Sequence, residues 1–175
     1  ASYMVLALFT GLRLNEICHL RWDDITLDGD NPLIHVRKAK NDRRFILPVT
    51  PVVQRFLKIQ HQRSAHLSEW VFPARDGRQA EKPMSNPSKN IKAFSEDIDI
   101  EFSSHILRHL FGSTAYSLGF EDRQLRRVMR HGKKDVTDIY VHTTAERMRP
   151  LYEQIEERLL TDWDPVMSSA GVEAE

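Results

Sequence analysis

The sequence reads as a mainly α-helical domain carrying one small antiparallel β-sheet of three short strands near its N-terminal third. Three observations lead there. Apolar residues recur at helical spacing in several segments, as in Val52, Val53, Phe56, Leu57 and Ile59, or Met148, Leu151, Tyr152, Ile155 and Leu159. Turn signals and β-branched residues concentrate in one stretch, "DITLDGDNPLIHVRKAKNDRRFILPVT". Neither an internal repeat nor an interior linker interrupts the 175 residues, a length suited to one well-cored domain.

Taken in order, 2–9 and about 13–20 predict two helices broken at "TG", where Gly11 supplies the turn. Asp28-Gly29-Asp30-Asn31-Pro32 then reverses the chain, "LIHVRK" runs out, "NDR" turns, and "RFILPV" returns. Helix is expected again at 51–66 and at roughly 87–98, on either side of the polar, proline-bearing loop "FPARDGRQAEKPMSNPS". Ser103 or Ser104 suits the N-cap of a helix running to about Leu118, with Gly119 in its C-terminal turn. Further helices follow, the last near 144–160. Residues 1–160 thus form the domain, and 161–175 an acidic, frayed tail.

Composition excludes some classes. The apolar opening "YMVLALF" is too short to span a bilayer and lacks the flanks of a signal peptide, so no membrane partner is expected. The single cysteine, Cys18, has no disulfide partner, which fits a reducing, cytoplasmic setting. The chain starts Ala-Ser inside a helix, as a domain excised from a longer protein would. A formal charge of zero conceals a pattern. Arg37, Lys38, Lys40, Arg43 and Arg44 face only Asp42, and a second cationic stretch spans 105–134, while the last thirty residues carry eight acids against three arginines. Such stretches are either solvated faces or the footprint of a polyanion.

Cleaving a phosphodiester with a side-chain hydroxyl sets a parts list. Guanidinium groups match the two charged non-bridging oxygens. The departing 5′ oxygen needs a proton, and a phenol with a pKa near about 10 needs a base, a cationic field, or both. Candidates for every part are present. "HILRH" puts His105 and Arg108 on one helical face; Arg13 follows "TGL"; Lys40 sits in the hairpin; His131 and Tyr140 lie in "RHGKKDVTDIYVH". Each has a plainer reading as well. An H-x-x-R pair is often a surface pair, Arg13 could bridge to Glu16 at i+3, Lys40 could be solvated, His105 could be structural and Tyr140 could be packed. His105 and His109 are i,i+4, but H-E-x-x-H, paired cysteines and a third ligand are lacking, so no metal or other cofactor is expected.

The blocks "TGLRLNEICHLRWDDI", "KAKNDRRFILPV", "HILRH" and "RHGKKDVTDIYVH", in that order, resemble the catalytic domain of the tyrosine recombinases, or phage-integrase family, over residues 1 to about 145. The resemblance implies that Arg13 and Arg108 clamp the scissile phosphate. It implies that Lys40 is the general acid, that His105 and His131 bind the phosphate or manage the phenol's proton, and that Tyr140 is the nucleophile of a 3′-phosphotyrosyl link. Glu16 matches the family's supporting acid. Lys38, Arg43, Arg44, Arg126, Arg127, Arg130, Lys133 and Lys134 are candidate DNA contacts. The implied partner is double-stranded DNA, held by four protomers that associate through the C-terminal helix or pack it on their own domain, with an N-terminal clamp domain absent from this chain. Met129-Arg130 departs from the family's usual leucine-glycine, and Arg130 is expected on a tight turn, as a candidate DNA contact. Alternatives are a type IB topoisomerase, an inactive DNA-binding remnant of a mobile element, and a structural helical module.

Overall fold

The computed structural model describes residues 2–37, 45–74, 81–85, 87, 91, 95, 103–130 and 141–169. Helix α1 (Ser2–Thr10) stops at Gly11, whose φ of +59° is the left-handed conformation that glycine adopts without cost. The Gly11 amide still donates to the Ala7 carbonyl (3.1 Å), and the Leu12 amide donates to the Thr10 hydroxyl (3.2 Å), so the turn's polar groups are satisfied. Helix α2 (Leu14–Cys18) then starts with Arg13 as its N-cap residue, in extended backbone.

The sheet follows as expected. Strands β1 (Ile25–Thr26), β2 (Leu33–Val36) and β3 (Phe45–Pro48) pair antiparallel in that order, with Ile25 opposite Ile34, Ile34 opposite Leu47, and Val36 opposite Phe45. The base of the β2–β3 hairpin is tied from elsewhere: Arg149 donates to the carbonyls of Val49 (2.8 Å) and Pro32 (3.0 Å).

Helix α3 (Pro51–Ser64) has proline at its first position, where the missing amide costs nothing. Its apolar stripe buries Val53 and Leu57, whereas Ile59 stays exposed. Thr50, its N-cap residue, makes no side-chain cap of its own. The Glu156 carboxylate, about a hundred residues later, accepts instead from the Val52 amide (3.1 Å) and the Thr50 hydroxyl. Of the helix expected near 87–98, Ile91 and Ser95 are helical and Pro87 lies in a turn, and the others lie outside the described residues.

Helix α4 (Ser104–Ser117) is capped by Ser103, whose hydroxyl accepts from the Ile106 amide (3.4 Å), and it ends at Gly119 with φ +77°. Leu107, Phe111 and Ala115, one face at i, i+4 and i+8, are buried against α1. Helix α5 (Asp122–Val128) leads to Arg130, and helix α6 (Val141–Ser169) closes the domain.

Helix α6 is longer than the sequence suggests. Past residue 160 the Thr161 hydroxyl bonds to the Glu157 carbonyl (2.9 Å), and Arg158 pairs with Asp162 at i+4 (3.1 Å), both local links that accompany the continued helix. Residues 170–175 lie outside the described residues. The α6 stripe of Met148, Tyr152, Ile155 and Leu159 is buried within its own domain, against β3 and α4. Burying an apolar side chain of this size contributes about 1.5–3 kcal/mol. That stripe is therefore part of the core of this chain.

Candidate active site

Phe111 of α4 sits against Gly11, and this contact brings the two arginine-bearing segments together. A Cβ on Gly11 would lie 2.6 Å from the Phe111 ring, so only glycine allows the turn to approach α4 this closely. Phe111 is held from the other side by Tyr152, ring centroids 5.5 Å apart. One turn along α4 from Phe111, Arg108 points at the same turn. It donates through one terminal nitrogen to the Gly11 carbonyl and through the other to the Met129 carbonyl.

Arg108 is 7% exposed. Its guanidinium pKa is pushed down to about 10, first by burial and then by the charges of Arg130 and Arg13, with Glu16 opposing. It remains a cation at neutral pH, but one surrounded by other cations.

Arg13 and Glu16 make the i,i+3 pair that the spacing allowed. The Arg13 amide donates to Glu16 Oε2 (2.7 Å) and its guanidinium to Oε1 (3.1 Å). Glu16 is 2% exposed and Arg13 34%, so the carboxylate is the buried anchor and Arg13 the accessible edge. Bridging to Glu16 does not compete with a role for Arg13. A buried carboxylate that fixes both backbone and guanidinium of one arginine preorganises it.

Arg130 is where the structure corrects the sequence reading. Its φ of +54° confirms the tight turn, and it is the one non-glycine residue with positive φ among the described residues. Placing an L-residue there costs about 1–2 kcal/mol. The side chain does not face outward to DNA. It is 9% exposed and reaches into the α1–α2 turn. Its guanidinium donates to the carbonyls of Gly11, Thr10 (3.2 Å) and Val128 (3.3 Å) and to the Tyr152 hydroxyl (3.3 Å). It also lies 3.8 Å from Glu16 Oε2 and stacks 4.9 Å over the Phe45 ring. Hydrogen bonds of this number to buried acceptors explain why the outward orientation loses. The only advance signal was the replacement of a small residue at a turn.

The other candidates divide. His105 is exposed on α4, one turn before Arg108, and His109 is exposed as well. Arg126 and Arg127 are exposed on α5, Arg126 paired with Asp122 (3.6 Å). Lys38, Lys40, Arg43, Arg44, His131, Lys133, Lys134 and Tyr140 lie outside the described residues. Of the first cationic stretch Arg37 is described, and it pairs with the buried Asp24. Among the described residues no three His, Cys, Asp or Glu side chains are grouped to hold a metal ion, and no helix is long and apolar enough to cross a membrane. Cys18 is buried, which pushes its thiol up to about 11 and leaves it protonated and unreactive at neutral pH.

What gathers at the α1–α2 turn is three guanidiniums around one carboxylate, an excess of positive charge on fixed side chains. Such a site suits a doubly liganded phosphate oxygen pair.

Known proteins resemble this chain in sequence and in fold. The chain is 27% identical over 154 residues to the tyrosine recombinase XerA of Thermococcus kodakarensis, covering 86% of this chain and 54% of that one. It is 24% identical to the tyrosine recombinase XerD of Rhizobium meliloti, over 81% of this chain and 46% of the relative. The chain thus spans about half the length of these curated relatives. Among solved structures, the integrase of mycobacterium phage Brujita superposes with a TM-score of 0.63 at 24% identity, over 88% of this chain and 50% of the integrase, a likeness of fold. The family model described as the phage integrase family matches residues 1–147, through all four of the sequence blocks and into the first turns of α6, and the chain belongs to that family.

Proposed function

We propose that this chain is the catalytic domain of a site-specific DNA recombinase that cuts and rejoins double-stranded DNA through a 3′-phosphotyrosyl intermediate. The observation that carries the reading is the meeting of Arg13 and Arg108, ninety-five positions apart in sequence, at one turn built on Gly11 and Glu16. Relatives and structural neighbours add support: the neighbours include a XerH recombinase bound to a palindromic difH substrate in a post-cleavage complex.

In the mechanism Tyr140 attacks the scissile phosphorus, forming the phosphotyrosyl bond as the bond to the 5′ oxygen breaks. Arg13 and Arg108 hold the non-bridging oxygens, whose charge rises in the transition state. Lys40 gives its proton to the departing 5′ oxygen. His105 and His131 bind the phosphate and manage the proton leaving the phenol. The covalent link conserves the phosphodiester, so a 5′ hydroxyl from a second duplex displaces the tyrosine without ATP. Exposed Arg126 and Arg127, with Lys38, Arg43, Arg44, Lys133 and Lys134, would neutralise flanking phosphates. Four protomers on two sites is the assembly carried over from the family resemblance, and integration is the role to which the reading leans.

The test uses DNA carrying two candidate sites. Formation of joined product by the wild type, and none by Tyr140→Phe, supports recombination. Relaxation of supercoils without joined product would replace the reading with a topoisomerase.

A further inference from the structure

We infer that Arg130 is a positioning residue for strand cleavage, locking the Gly11 carbonyl and the Glu16 carboxylate against which Arg108 and Arg13 are set. The chemical step rests on the recombinase reading above; the locking geometry does not.

Direct contact with DNA is not its role, because its guanidinium is turned inward and its side chain is 9% exposed. Nor is it a generic helix stop. A left-handed residue after α5 needs only a backbone that tolerates φ +54°, which glycine does best, yet here a long cationic side chain fills the position. Its acceptors are the ones the proposed phosphate clamp depends on. Gly11's carbonyl accepts from both Arg108 and Arg130. The carboxylate of Glu16 holds Arg13 by two hydrogen bonds and has Arg130 at 3.8 Å. Met129, whose carbonyl takes Arg108's other nitrogen, is the residue immediately before it. Through Thr10, Phe45 and Tyr152, Arg130 also spans the end of α1, strand β3 and helix α6. Removing the guanidinium would free the turn to shift relative to α4, and so let the two arginines lose their mutual geometry.

Arg130→Gly is the informative variant, since glycine suits the backbone and removes only the side chain. Single-turnover cleavage of a nicked duplex is compared with the wild type at saturating and limiting DNA. We expect the rate at saturation to fall about 10- to 100-fold, the loss typical of a small misplacement of reacting groups. The half-saturating DNA concentration should change less than about twofold, because a group that does not touch DNA leaves binding alone. Ethylguanidinium added at millimolar concentration should return part of the lost rate to Arg130→Gly. Arg130→Lys should stay slow, because an ammonium cannot bridge several carbonyls at once. In the protein without DNA, the side-chain Nε–H resonances of Arg13 and Arg108 should broaden in Arg130→Gly.

A wild-type rate in Arg130→Gly with both resonances unmoved overturns the inference. So does a raised half-saturation with the rate intact, which would make Arg130 a DNA contact. If the wild-type protein itself forms no adduct, the recombinase reading fails, and the resonances alone still decide whether Arg130 holds the cluster.

Discussion

Replacing Gly11 with alanine tests the joint between the two arginine-bearing segments. Two costs add. The φ of +59° charges an L-residue about 1–2 kcal/mol. The new methyl would also meet the Phe111 ring at 2.6 Å, and that ring is fully buried between Gly11 and Tyr152, with little room to yield. Overpacking of this kind costs about 1–3 kcal/mol. Together these come to about 2–5 kcal/mol, or roughly 5–15 °C in midpoint for a chain of this size. Gly119→Ala is the control, with φ +77° and open space around its missing Cβ. It should lose only the backbone part, about 1–2 kcal/mol. Urea unfolding of both variants, with unchanged slopes, measures the difference directly. Equal destabilisation of the two, or a Gly11→Ala variant within about 1 kcal/mol of the wild type, would refute the claim that Phe111 packs on this turn and sets its distance from α4.

Three further outcomes follow from the same contacts. Arg108→Lys should cut covalent adduct formation by about 100- to 1,000-fold in single-turnover assays, since lysine cannot serve two backbone carbonyls and a phosphate together. Burial raises the Glu156 carboxyl above its ordinary value of 4.5 in the folded state, against hydrogen bonds from Thr50 and Val52 that lower it. Between pH 4.5 and that raised pKa the folded protein keeps a proton that the unfolded chain has lost, so this group's contribution to stability is full below pH 4.5 and is lost as pH rises through the raised pKa; Glu156→Gln should flatten that slope in a series of thermal melts. DNA binding, followed by anisotropy, should weaken linearly in log–log salt titrations with a slope of about −0.9 per neutralised phosphate, and Arg127→Ala should make that slope shallower by about one.

Local pattern made much of the fold legible. The break at Thr10-Gly11, the three strands, the Ser103 cap and the Gly119 stop each follow from a residue whose backbone preference is strong enough to act alone. Arg13 with Glu16 was readable for the same reason, an i+3 pair at a helix start. What stayed hidden depends on partners distant in sequence. Glu156 caps α3 from α6, Arg149 ties the hairpin base, and Arg130 turns into the α1–α2 turn. A charge count treats Arg130 as one more cation for DNA, because nothing in its neighbours announces the Gly11 carbonyl far upstream. The apolar stripe of α6 was visible, but only the packed structure shows that Tyr152 and Ile155 are buried in their own domain.

The most direct test of the central claim is where the covalent bond forms. Wild-type protein is incubated with a nicked duplex in the presence of a chelator, and the adduct is digested and sequenced by mass spectrometry. The account predicts a nucleotide joined through its 3′ phosphate to the phenol of Tyr140, with a free 5′ hydroxyl on the released strand. An adduct on any other residue, or none until a divalent metal is supplied, would contradict it.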